Sequence, residues 1–172
     1  IADWYKKWYA VDLDADSEIL PLIGSKEGIM HICMTYINAG DEVLIPNPGY
    51  PTYRSAAKIA GANVKEYTLT KENTWFPDFE AIEQAGLEKV KLMFVNYPQM
   101  PTGQLPNRDL FEKLVAFAQR NGVIICHDNP YSFILNNKPM SMLATAGAAD
   151  CVLELNSLSK SHNMAGWRVG ML

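Results

Sequence analysis

The chain has 172 residues, a formal net charge of −4 and 48% hydrophobic residues. This length and composition predict one globular domain with a sizeable core, and they exclude a disordered or collagen-like chain. The slight excess of acidic residues argues against binding to nucleic acid or to a membrane surface, because both partners select a basic face. No apolar run reaches the ~18 residues that a membrane span requires.

The chain begins with Ile1 rather than Met and ends inside an apolar run, so we expect it to be an internal piece of a longer protein. The cysteines Cys33, Cys126 and Cys151 lack the spacing of a metal site, and we expect them to be buried, reduced thiols of a cytoplasmic protein. The histidines lack the i, i+4 spacing of a zinc-binding helix, so no metal site is predicted.

Helical and strand-like segments alternate along the chain. Helical spacing of apolar residues and stop signals predict helices over residues 2–9, 24–38, 52–60, 79–84 and 108–120. Apolar runs predict strands over residues 43–45, 64–69, 90–95, 123–126, 151–155 and 168–172, with a further short apolar run over 18–23. In the first helix we expect Trp4, Tyr5 and Trp8 to share one side. This alternation predicts an α/β fold with a mostly parallel sheet and helices on both faces, a three-layer α/β/α domain.

Sheets of this kind bind ligands beyond the carboxyl ends of their strands. In this chain, polar or aromatic residues directly follow five of the predicted apolar runs. A helix starting at Ser25 offers free N–H groups that suit a phosphate, and Arg168 offers a planar fork for the same group. The Asp128 carboxylate needs a partner such as a protonated ring nitrogen, and the Lys160 amine can form an imine with an aldehyde.

Taken singly, each of these residues also fits a structural role. Ser25 is suited to cap its helix, Arg168 to form a surface ion pair, Asp128 to cap a turn, and Lys160 to extend into solvent. Taken together, they describe a site for pyridoxal 5′-phosphate, with Tyr131 for the phenolate oxygen and a flat ring face from Tyr50. This cofactor is an electron sink that stabilises a carbanion at the α-carbon of a substrate.

The motifs Asn96-x-x-x-x-Pro101-Thr102-Gly103, Asp128-x-x-Tyr131 and Ser157-x-Ser159-Lys160 with Arg168 eight residues later resemble those of the class I/II aminotransferases of fold type I. The resemblance covers essentially the whole chain. The segments 20–29 and 156–160 resemble a branch that includes LL-diaminopimelate and aspartate-type aminotransferases. The resemblance implies that residues 1–172 are most of the cofactor-binding large domain, without the N-terminal arm and the C-terminal small domain that carries the substrate-binding arginine.

The resemblance also implies a role for each motif residue. Lys160 would carry the cofactor as an internal aldimine and move a proton between the substrate α-carbon and the cofactor, Asp128 would keep the pyridine nitrogen protonated, and Tyr131 would donate to the 3′-oxygen. The remaining cofactor-binding residues are Ser25, Lys26, Ser157 and Arg168 at the phosphate, Tyr50 stacked on the ring, Ser159 beside the phosphate or Lys160, and Asn96.

One position departs from the family pattern. The family carries an asparagine directly before Pro-Thr-Gly that donates to the 3′-oxygen, and this chain has Met100 there, which cannot donate a hydrogen bond. Asn96 stands earlier in the motif. We therefore expect Tyr131 alone to provide the side-chain hydrogen bond to that oxygen.

The implied activity is the transfer of an α-amino group from an amino acid to a 2-oxo acid, by an enzyme that forms a homodimer. Two alternatives use the same cofactor residues. One is a β-lyase acting on sulfur amino acids, and the other is an aminotransferase-like sensor domain fused to a DNA-binding module. The chain alone does not separate them.

Overall fold

The computed structural model describes all residues from 1 to 172. The strands are β1 (Pro21–Leu22), β2 (Glu42–Asn47), β3 (Asn63–Thr68), β4 (Val90–Asn96), β5 (Ile124–Asp128), β6 (Val152–Ser157) and β7 (Gly170–Met171). The helices are α1 (Ala2–Tyr9), α2 (Ser25–Tyr36), α3 (Pro51–Ile59), α4 (Phe79–Gln84), α5 (Arg108–Asn121) and α6 (Leu158–Ser161). Short 3-10 turns cover Met142–Ala144, Ala148–Asp150 and Ala165–Trp167.

The seven strands form one sheet in the order β1-β7-β6-β5-β4-β2-β3. The strands from β2 to β6 run parallel to one another, whereas β7 runs antiparallel to both β6 and β1. Two successive reversals make β1 point the same way as β6, so the carboxyl end of β1 lies at the same sheet edge as those of the parallel strands. The prediction of a mostly parallel sheet is confirmed.

Helices cover both faces of the sheet and bury two apolar layers against it. On one face α2 and α3 pack on the sheet through side chains such as Ile29, Ile32 and Tyr53. On the other face α4 packs on the sheet through Ile82, and α5 packs on it through side chains such as Leu114 and Phe117. The predicted apolar stripe of α5 is fully buried, because its residues recur at the helical period. The three-layer prediction is therefore confirmed.

The helix α1 packs on the sheet through Tyr5, one of the three predicted aromatic residues, and through Tyr9. Tyr5 and Tyr9 are its buried residues, and Trp8 is 45% exposed. The Tyr5 hydroxyl donates to the Glu154 carboxylate at 3.1 Å and the Asn156 amide donates to the Tyr9 hydroxyl at 3.3 Å, so the helix docks on β6 through polar groups. Trp4 and Trp8 both contact the Phe133 ring, with ring centroids 5.2 and 5.3 Å apart, as expected for residues on one side of the helix.

Some element boundaries also differ from the prediction. The last strand begins at Gly170, so Arg168 lies before it, in a left-handed backbone conformation with φ of 52°. The strand β6 continues to Ser157, and α6, which was not predicted, starts directly after it. With four residues, α6 is too short to show a helical period in the sequence.

All three cysteines are free and buried, as predicted. No helix combines the length and the apolar character that a bilayer-spanning segment would need.

Candidate active site at the carboxyl edge of the sheet

A cavity of about 510 Å³ opens at the edge where the parallel strands end. Its walls come from the segments that follow β1, β2, β4, β5 and β6 and from the segment that precedes β7. Every residue to which the sequence analysis gave a cofactor role lines this cavity: Ser25, Lys26, Tyr50, Asn96, Asp128, Tyr131, Ser157, Ser159, Lys160 and Arg168. The chain topology therefore brings together groups that are up to 143 positions apart in sequence, from Ser25 to Arg168.

Asp128 is the last residue of β5 and lies at the base of the cavity, 5% exposed. Its Oδ2 accepts a hydrogen bond of 2.7 Å from the Tyr53 hydroxyl, whereas its Oδ1 is buried and has no hydrogen-bond partner. Burial raises the pKa of Asp128 to about 6, and the Tyr53 hydrogen bond and the nearby His127 charge act in the opposite direction. The carboxylate therefore presents one unsatisfied acceptor, which suits a cationic N–H donor.

Tyr53 is a site residue that the sequence analysis missed. Its ring is buried in α3 and stacks on Phe94, with ring centroids 4.7 Å apart and planes 8° from parallel. In the sequence, Tyr53 lies three positions after Tyr50 at the start of a predicted helix, which places both rings on one side of that helix. This spacing could have indicated a site residue, but it did not show that the Tyr53 hydroxyl would reach Asp128 at the end of β5.

The amino end of α2 borders the cavity through Ser25 and Lys26. No side chain caps this helix, so its first N–H groups are free to bind an anion. Arg168 extends over Gly24, where any Cβ would overlap the guanidinium, and its Nη1 donates to the Ala165 carbonyl at 3.1 Å. A Cβ at Gly170 would lie 2.6 Å from the Ser25 nitrogen, so the close approach of β7 to α2 requires glycine there.

Two predicted cofactor-binding residues already use their side chains inside the protein. The Ser157 hydroxyl accepts the Ser159 N–H at 3.0 Å, which caps α6, and donates to the Val169 carbonyl at 3.3 Å. The Asn96 amide donates to the Asp128 carbonyl at 2.7 Å and accepts the Met100 N–H at 2.9 Å. These bonds join neighbouring strand ends and hold the walls of the cavity.

Lys160 and Tyr131 line the cavity together with Asp128. Lys160 is exposed in the short helix α6, and the Tyr131 hydroxyl makes no hydrogen bond within the chain. Partial burial, and then the neighbouring Asp128 and Tyr50, raise the pKa of Tyr131 above its ordinary value. The Tyr131 phenol therefore stays protonated near neutral pH and remains available as a donor.

The loop from residue 97 to 103 places Met100 on the cavity wall, 41% exposed. The side chain of the neighbouring Gln99 forms its hydrogen bonds within the protein. Its Nε2 donates to the Pro48 and Met100 carbonyls, and its Oε1 accepts from the N–H and the hydroxyl of Thr102. Neither of these side chains therefore offers a free hydrogen-bond donor to the cavity.

Comparison with known proteins assigns the chain to a family. The family model described as Aminotransferase class I and II matches residues 1–172. Two curated relatives are LL-diaminopimelate aminotransferases, from Dehalococcoides mccartyi at 46% identity and from Aquifex aeolicus at 45% identity. Each alignment covers 99% of this chain and 45% of the relative, so the chain spans less than half the length of these relatives.

The solved structures agree with this assignment. The apo structure of BacF from Bacillus subtilis superposes with a TM-score of 0.95 at 40% identity, and covers 99% of this chain and 44% of BacF. An aromatic aminotransferase from Pyrococcus horikoshii superposes with a TM-score of 0.92 at 26% identity, with 99% of this chain and 46% of that chain covered. With a family model that spans every residue, this chain belongs to the class I and II aminotransferases.

Proposed function

We propose that this chain is the cofactor-binding part of an aminotransferase that moves an α-amino group from an amino acid to a 2-oxo acid. Its family consists of pyridoxal-phosphate enzymes. The observation that carries the proposal is the buried, unpartnered Oδ1 of Asp128 in the same cavity as the Lys160 amine. A buried carboxylate oxygen without a donor is costly, and a protonated ring nitrogen would satisfy it.

The other residues of the cavity suit the remaining parts of the cofactor. The free amino end of α2 and the Arg168 guanidinium would bind the phosphate, because both are donors aimed at one place. The Tyr131 hydroxyl would donate to the 3′-oxygen, and the Tyr50 ring would lie against the cofactor ring. We also propose that Ser157 and Asn96 act chiefly by holding the strand ends, because their side chains are already hydrogen-bonded.

When bound, pyridoxal phosphate would supply an electron sink for charge that develops at the substrate α-carbon. Lys160 would accept the proton that leaves this carbon, as a general base that lies in the same cavity. Asp128 would hold a proton on the ring nitrogen through Oδ1, which keeps the ring electron-poor. Tyr131 would hold the 3′-oxygen and so orient the ring toward Lys160.

The whole enzyme would be longer than this chain, dimeric and cytoplasmic. The relatives are about twice as long as this chain, which supports its placement as most of a large domain that works with further segments. We propose a homodimer in the cytoplasm; the free, buried cysteines are compatible with a reducing compartment. The names of the curated relatives place LL-diaminopimelate first among the amino donors to screen.

Borohydride reduction of the full-length protein tests the assignment of the amine. After reduction and proteolysis, mass spectrometry should find the pyridoxyl group on Lys160, and a Lys160→Ala variant should carry none. Lys26 is the other lysine that lines the cavity, so an adduct on Lys26 would overturn the assignment.

Product analysis tests the reaction itself. Formation of a 2-oxo acid together with the aminated acceptor is the expected result. Release of pyruvate and ammonia from a sulfur amino acid would instead identify the β-lyase, and cofactor binding without turnover of any donor would favour the sensor domain. The names of the relatives support neither alternative.

A further inference from the structure

We propose that Tyr53 is a positioning residue that selects the orientation of the Asp128 carboxylate and keeps this carboxylate ionised for a ring nitrogen. The inference rests on the proposed function, because Asp128, the residue that Tyr53 would position, is one that this function requires. It extends that function to a side chain in α3 that none of the motifs contains.

The hydrogen-bond pattern distinguishes the two oxygens of Asp128. The Tyr53 hydroxyl donates to Oδ2 at 2.7 Å, and Oδ1 is left buried without a partner in the wall of the cavity. A carboxylate can rotate about its Cβ–Cγ bond, and a single strong donor on one oxygen fixes that rotation. The Tyr53 hydroxyl therefore determines which oxygen is available to a ligand.

Packing holds the Tyr53 hydroxyl in place. The side chain is 1% exposed, its ring stacks on Phe94 of β4, and its edge meets Tyr50 with ring centroids 5.6 Å apart. Stacked and edge-to-face aromatic pairs of this kind restrict both ring torsions. The donor is therefore preorganised, and the Tyr53 side chain does not have to be ordered when a ligand binds.

The protonation of Tyr53 and Asp128 also supports this role. Burial and the adjacent Asp128 raise the pKa of Tyr53 well above its ordinary value, so the phenol stays a donor rather than becoming a second anion. A hydrogen bond from Tyr53 favours the ionised form of Asp128 and works against the effect of burial.

The other titratable groups near Asp128 do not replace this hydrogen bond. Cys126 and Tyr131 are uncharged neighbours whose own pKa values are raised by burial. His127 follows the strand alternation to the opposite face of the sheet, where its ring nitrogens lie 2.8 Å from Glu154 Oε2 and 3.0 Å from the Tyr97 carbonyl oxygen. Tyr53 is the group whose side chain donates to the Asp128 carboxylate.

The test compares Tyr53→Phe with a matched control, Tyr67→Phe, in the full-length protein. Both changes remove one buried phenol hydroxyl with a hydrogen bond of 2.7 Å, but Tyr67 donates to the Phe94 carbonyl rather than to Asp128. Both proteins are first stripped of cofactor, and infrared difference spectra against an Asp128→Asn variant follow the Asp128 carboxyl as the pH changes. In Tyr53→Phe the ionisation midpoint of this carboxyl should move to higher pH, and in Tyr67→Phe it should stay at the wild-type value.

Pyridoxal phosphate labelled with ¹⁵N at the ring nitrogen provides the second readout. In Tyr53→Phe the dissociation constant should rise about 10-fold, the usual effect of losing a hydrogen bond to a charged group, and the ring-nitrogen resonance should move toward the unprotonated position. If both variants give the same carboxyl midpoint and the same nitrogen resonance as wild type, Tyr53 has no positioning role, while a wild-type adduct on Lys160 would leave the proposed function intact. If the wild-type protein binds no cofactor, the proposed function itself fails and the inference fails with it.

Discussion

Replacing Asp128 with asparagine should stabilise the cofactor-free protein at alkaline pH, although the same change should weaken cofactor binding. Folding raises the pKa of this carboxyl from 3.8 to about 6, mainly because the group is buried. The folded protein therefore binds a proton at Asp128 more tightly than the unfolded chain does. Stability is then lost as the pH rises from about 4 to about 6, because the unfolded chain releases that proton first.

The size of this effect follows from the difference between the two pKa values. A difference of about 2 pH units corresponds to about 3 kcal/mol of lost stability above pH 6. Asparagine does not ionise, and its carbonyl oxygen can still accept the hydrogen bond of Tyr53. Its amide group would take the place of the unpartnered Oδ1 at a cost on the order of 1 kcal/mol, which leaves a net gain of about 2 kcal/mol.

Urea unfolding of the cofactor-free, full-length protein at pH 8 and at pH 4 measures this gain. The variant should be more stable than wild type at pH 8, and the advantage should disappear at pH 4, where the folded wild-type carboxyl is protonated. The exposed Asp150, changed to asparagine, is a matched control that should show no such dependence on pH. A variant that is less stable than wild type at pH 8, or equally more stable at both pH values, would refute the argument.

Two further substitutions test other parts of the structure. Glu154→Gln should destabilise the protein by about 2–3 kcal/mol in urea unfolding. The buried Glu154 carboxylate accepts hydrogen bonds from the Tyr5 hydroxyl and the Met142 N–H and lies 2.8 Å from His127 Nδ1, and an amide cannot accept at both of its positions. The same change at the exposed Glu112 should cost less than about 1 kcal/mol, and equal losses at both positions would contradict a buried polar network around Glu154. Met100→Asn should add a donor near the 3′-oxygen worth on the order of 1 kcal/mol, and so lower the pH midpoint of the cofactor absorbance change by somewhat less than one unit. An unchanged or higher midpoint would end the hypothesis that Met100 removes a hydrogen bond.

Local patterns in the chain were sufficient for most of the fold. The helix over residues 79–84 was predicted with the bounds that α4 has, and the buried stripe of α5 follows from its period alone. Local patterns did not reveal contacts that are distant in sequence. The hydrogen bonds that join Tyr5 and Tyr9 to residues of β6 span almost 150 positions.

The sequence by itself determined most of the chemical groups in the site, because the motif residues other than Arg168 follow apolar runs and parallel strands end at one edge. Only the tertiary structure decided how these groups are used. It showed that one oxygen of Asp128 is held by Tyr53 and the other is free, and that the Ser157 and Asn96 side chains are spent on joining strand ends. The physical reason is that hydrogen-bond partners across a sheet depend on the register and packing of distant segments, whereas the order of strands and helices depends mainly on local periodicity.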